Sequence, residues 1–178
     1  MWVPDSSLLR GCARALGCTL VMGLAMPAIS SAQEAAPAVA RSASGPAGPA
    51  AGCELDVQGR LGKQFSPAQI TIPASCKSFT VQLIHTGKKP KSAAGHNWVL
   101  VRAGDIDAVI ADGLAVGPDQ DWVKPGDPRV IARTPMIGGG ERASVTFDVS
   151  RLSRGGSYVY FCSFPSHASM MRGTLSVE

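Results

Sequence analysis

Histidine and charge are both scarce in this chain. Among its 178 residues three are histidine, 17% are charged and 6% are aromatic. Lys88, Lys89 and Lys91 form the only local basic cluster, and the net charge is +4. A nucleic-acid-binding protein wants a longer basic stripe interleaved with aromatics, so that class is set aside. The three lysines read as a solvated loop or as a weak docking patch for an acidic partner. Long apolar runs are missing too. The run from Leu16 to Ile29 is short for a spanning helix and contains Pro27. With 20 glycines and 13 prolines, the composition suits a β-rich domain with a flexible appendage better than a helical bundle.

The chain starts like an export signal. Arg10 and Arg14 precede the apolar run, and small residues follow at Ser30, Ser31 and Ala32, so cleavage is expected near Ala32, giving a signal peptide over 1–32. Residues 33–52 are almost entirely Ala, Pro, Gly and Ser and cannot bury a core, so they read as a disordered linker. The folded domain is expected over 53–178.

Export makes the cysteines informative. Cys12 and Cys18 lie inside the signal, and the residues before each fit a lipidation site poorly. Cys53, Cys76 and Cys162 remain, an odd number in an oxidising compartment. One pair and one thiol kept for another purpose are expected. Compartment and the metal argument below favour Cys53 with Cys76, a bridge worth about 3 kcal/mol in the chain-entropy model.

The period within 53–178 is two. Leu55–Val57, Phe79–Leu83, Trp98–Val101, Val145–Val149 and Leu175–Val177 read as short strands, and Tyr158–Cys162 as a buried one. KKPKSAAG, VKPGDP and IGGGE mark turns between them. The stretch Asp105–Val116 lacks alternation and predicts a short helical insertion. Many short strands with frequent turns predict an all-β, antiparallel Greek-key sandwich.

From Cys162 to Met171 the chain reads CSFPSHASMM, a thiol, an imidazole and thioethers between two strands. A loop there can curl these side chains around one point. Soft sulfur with nitrogen suits copper or zinc, whereas magnesium and calcium want oxygen. Two histidines, one cysteine and a long axial methionine make the electron-transfer copper site. The second imidazole is His96 or His85. His96 lies where a glycine-rich loop enters an apolar strand, and Gly95 leaves its carbonyl free to approach a metal. His85, at the end of an apolar strand, reads better as a satisfied core histidine.

Over Cys53–Glu178 the chain resembles the azurins, a branch of the cupredoxins, through GCELDVQG, SCKSFTV, GHNWVL, ADG, KPGD, RVIA, SVTFDVS and the C-x4-H-x3-M loop. The resemblance implies His96, Cys162 and His167 as strong ligands of one copper ion. It places Met171, not Met170, at the axial position and the Gly95 carbonyl opposite. It also implies the Cys53–Cys76 disulfide, a buried Trp98, His85 as a non-ligand, Asn97 hydrogen-bonded near the cysteine loop and Phe164 beside the metal. Ser166 stands where azurins usually have glycine, and Lys63 and Lys89 replace apolar residues. The ligand set is untouched by these departures.

A periplasmic carrier cycling Cu(II)/Cu(I) is the expected function, not an enzyme. Three histidines leave too few ligands for a second copper or an open position. A copper-storage protein is the alternative, although methionine- or histidine-rich runs are absent apart from Met170 and Met171. Expected partners are c-type cytochromes or copper and haem reductases docking near His167. A membrane tether has no support in the sequence.

Overall fold

The computed structural model describes Gly52–Glu178; the expected signal peptide and nearly all of the expected linker lie outside the described residues. Nine strands form two sheets: β1 Glu54–Arg60, β2 Gln64–Ser66, β3 Gln69–Ile72, β4 Ser78–His85, β5 Val99–Arg102, β6 Val130–Arg133, β7 Arg142–Asp148, β8 Tyr158–Phe161 and β9 Arg172–Val177. One sheet runs β2-β1-β4-β7 and the other β3-β9-β8-β5-β6. The sandwich is the one expected. Two of its pairings, β1 with β4 and β3 with β9, are nonetheless parallel. The chain crosses from one sheet to the other and back between β1 and β4, so it returns in its original direction.

Alternation sends one side chain in two to the core. In β7, Ala143, Val145 and Phe147 turn inward, while Arg142, Ser144, Thr146 and Asp148 are exposed. Val57, Leu83, Leu100, Tyr160 and Leu175 meet between the sheets around Trp98, which has no exposed surface. Its ring stacks on Tyr160 at 5.5 Å and Phe147 at 6.1 Å. Fully burying each large apolar side chain is worth about 1.5–3 kcal/mol.

β5 and β8 break the alternation because both their faces are covered. Helix α1, Lys91–Ala94, lies in the loop before β5, and α2, Ile106–Val116, packs on the outer face of the five-stranded sheet. Ile106, Val109 and Val123 there bury Val99, Val101 and Phe161. The expected helical insertion is thus a regular helix of 11 residues. Gly117 ends it at φ 75°, a left-handed position that favours glycine, and returns its N–H to the Gly113 carbonyl at 3.2 Å. The expected disulfide partners, Cys53 and Cys76, are bonded, and they staple the start of β1 to the turn before β4.

Candidate metal centre

The site is built where one end of β5 meets the loop between β8 and β9. His96, just before β5, is pinned by a two-way backbone bridge to Ile137, at 2.9 and 2.8 Å. Its neighbour Asn97 reaches across to the other loop. The Asn97 amide donates to Ser163 Oγ at 2.7 Å, and the Ser163 N–H donates to Asn97 Oδ1 at 2.8 Å. Ser163 Oγ then donates to the Asp121 carbonyl at 2.7 Å. These bonds fix Cys162 against His96 without using either side chain.

The β8–β9 loop is closed at its neck by the Cys162 N–H on the Met171 carbonyl, at 3.0 Å. Inside it the Met171 N–H donates to the His167 carbonyl at 2.7 Å and the His167 N–H to that of Phe164 at 2.9 Å. A tight turn of this kind throws His167 and Met171 inward. Cys162 and Met171 have no exposed surface and His96 and His167 keep 4% each, whereas Met170 is 56% exposed.

Donor atoms of His96, Cys162 and His167 all lie within 4.8 Å of one another. The Cys162 Sγ is 3.9 Å from His96 Nδ1 and 3.6 Å from His167 Nδ1. Metal–sulfur and metal–nitrogen bonds of ordinary length at 120° would separate those atoms by about 3.8 Å. The donor set therefore fits a single soft ion. Gly95 brings its carbonyl to 3.8 Å from the same sulfur.

His85 is buried but stands outside this cluster. Its Nδ1 accepts from the Gly87 N–H at 3.0 Å, and its Nε2 lies 2.8 Å from the Ala94 carbonyl. Both ring nitrogens are thus occupied by backbone groups. The ring stacks on His96 at 4.0 Å and supports it from behind.

Comparisons with known proteins converge. The profile described as copper binding proteins, plastocyanin/azurin family, matches residues 51–178. Azurin of Pseudomonas denitrificans is 53% identical over 126 residues, covering 71% of this chain and 98% of that one. Azurin of Pseudomonas aeruginosa is 52% identical over 129 residues, covering 72% and 87%. The solved azurin Az-iso2 of Methylomonas sp. strain J superposes with a TM-score of 0.68 at 51% identity, over 71% of this chain and 98% of that one.

The chain belongs to the plastocyanin/azurin family, on its azurin branch. In this azurin-family chain His96, Cys162, His167 and Met171 form a candidate copper site. Its electrostatics follow from burial. Desolvation, then the neighbouring His85 and His167, lowers His96 to about 4. Desolvation, then Lys63 and His85, lowers His167 to about 4 as well. Burial pushes the Cys162 thiol up to about 11, against backbone N–H groups of Asn97 and Phe164 that favour the thiolate. At neutral pH the metal-free site therefore holds two neutral imidazoles, ready to bind, and one protonated thiol.

Two contributors escaped the sequence reading. Gly59 in β1 lies against the site: a Cβ there would stand 2.8 Å from His96 Cδ2 and 3.1 Å from the Met171 methyl. A glycine inside a strand hints at close approach, but not at what approaches. The second is a bond from Lys63 Nζ to Ser166 Oγ at 3.2 Å, joining two positions that depart from the usual azurin pattern.

Proposed function

We propose that this chain is a periplasmic one-electron carrier, in which His96, Cys162 and His167 would hold copper as strong ligands and Met171 and the Gly95 carbonyl as weaker ones. Copper bound there supplies the Cu(II)/Cu(I) couple. The carrying observation is that three donors of the right chemistry converge in a pocket already dry and hydrogen-bonded into place. Asn97 and Ser163 hold the cysteine loop, Ile137 and His85 hold His96, and none of these bonds needs to break when charge at the site changes. Such rigidity suits a carrier, which must rearrange little between its two states.

Burial supports a carrier over an enzyme: the side chains of His96, Cys162, His167 and Met171 are at most 4% exposed. His167 serves in this reading as the route outward: it follows the exposed Ser166, and its ring meets the half-buried Phe164 at 4.6 Å between centroids. Residues 1–32 and 33–52 belong to the same reading as a cleaved export signal and a linker to the domain at 53–178.

Loading the purified protein with Cu(II) tests this. An intense blue thiolate-to-copper band with narrow hyperfine splitting is expected, and Cys162→Ser should abolish it. A colourless product, a blue Cys162→Ser variant, or several coppers bound per chain would overturn the carrier reading, the last in favour of storage.

A further inference from the structure

The end of β1, the turn that follows it and the loop after β4 carry four cations on one side of the site. Arg60, Lys63, Lys88 and Lys89 surround a cleft of about 220 Å³ that has Ala94 and His167 among its lining. Of the ten other described Lys and Arg residues, three rest on carboxylates: Lys91 on Asp121, Lys124 on Asp112, and Arg129 on Asp112 and Asp127. Among the described residues none of the four around the cleft has a carboxylate partner. Arg60 Nε donates only to the neutral Gln58 amide, at 3.2 Å.

One of these charges is held in place. Lys63 is in the left-handed region, at φ 58°, and so is Ser166, at φ 63°. Two non-glycine residues in that region are costly, and their backbones give each side chain a fixed heading. The bond runs from Lys63, in the cleft lining, to Ser166, one residue from His167. Leu61, 79% exposed, adds an apolar contact at the same turn.

We propose that this rim is the docking face for an acidic protein surface, a redox partner whose Asp and Glu carboxylates surround its own electron-transfer edge. The inference rests on the carrier reading above. Unpaired like charges around a small cleft raise the local potential, and complementary carboxylates relieve it while steering the encounter. An apolar contact inside a charged rim has the anatomy of a small, short-lived interface. A nucleic acid would need cations tracking a backbone, whereas these four encircle one point.

Two measurements test the face. First, the copper-loaded chain is reduced by hexacyanoferrate(II), which gives up one electron as Cu(II) becomes Cu(I), and separately by cationic hexaammineruthenium(II). The anionic reaction should slow as salt rises and slow about tenfold in Lys63→Glu/Lys89→Glu, while the cationic one accelerates. A second variant, Lys88→Glu/Lys89→Glu, leaves the Lys63–Ser166 bond alone and should show the same signs.

Second, polyglutamate is titrated into isotopically labelled chain, both loaded and metal-free. Amide shifts should cluster at 60–63, 88–89 and 166–167 in both forms. Rates insensitive to salt and charge reversal, shifts spread elsewhere, or tighter binding of an oligonucleotide or an anionic vesicle at these residues would overturn the proposal. Localised shifts with no blue, redox-active copper would instead sink the carrier reading and leave the acidic-ligand face standing.

Discussion

At the scale of single residues, the metal-free site is set by what burial does to three titratable groups. His96 and His167, both lowered to about 4, are neutral at pH 7, while Cys162, pushed up to about 11, keeps its proton. Copper uptake at neutral pH therefore displaces one proton, from the thiol, and none from the imidazoles. Weakly buffered titration should release one proton per copper, and apparent affinity should rise about tenfold per pH unit from above pH 4 to near 11. Towards lower pH both histidines add their protons and the dependence steepens. Release of two or more protons at pH 7 would contradict the neutral imidazoles. The sequence carried much of this centre at residue level. An odd third cysteine within 53–178 singles itself out, and CSFPSHASMM puts sulfur and nitrogen on one loop. Choosing Met171 over Met170 needed family resemblance, because adjacent methionines look alike until the turn buries one and exposes the other.

At the scale of elements, strand β1 serves the site without contributing a ligand. Gly59 lets His96 and Met171 come down onto the sheet, and no side chain fits between them. Gly59→Ala should push the imidazole or the thioether aside and cost about 1–3 kcal/mol in denaturant unfolding. It should also shift the blue band and the copper hyperfine splitting, which a purely structural lesion far from the site would leave alone. An unchanged spectrum would mean that the loops yield without moving the ligands. Six strands were legible from alternation or aromatic content, including β8, read as buried before α2 was known to cover it. β2, β3 and β6 were not. They are three or four residues long, and one period of alternation in QFS or VIAR is indistinguishable from a loop. Parallel pairing of β1 with β4 was equally illegible, since it follows from where the chain crosses between sheets and not from any local pattern.

For the molecule as a whole, a dry and preassembled metal site has a consequence for stability. The ordinary histidine value is 6.5, and His96 and His167 fall to about 4 in the folded chain. Between those values the unfolded chain takes up protons that the folded chain refuses, so acid favours unfolding. The histidine contribution is complete above about pH 6.5 and is lost as pH falls towards 4. Asp127, held low first by the Arg129 hydrogen bond, acts only below its ordinary 3.8 and so lies outside this window. Copper that binds the folded state alone adds stability by mass action and competes with those same protons. The metal-free protein should therefore lose about 1–3 kcal/mol between pH 7 and pH 5 in urea unfolding. The copper-loaded protein should unfold at higher urea at both pH values. A metal-free midpoint that stays flat across this range would show that the two imidazoles are protonated in the folded state as readily as in the unfolded one. The pocket would then be wetter than its burial indicates.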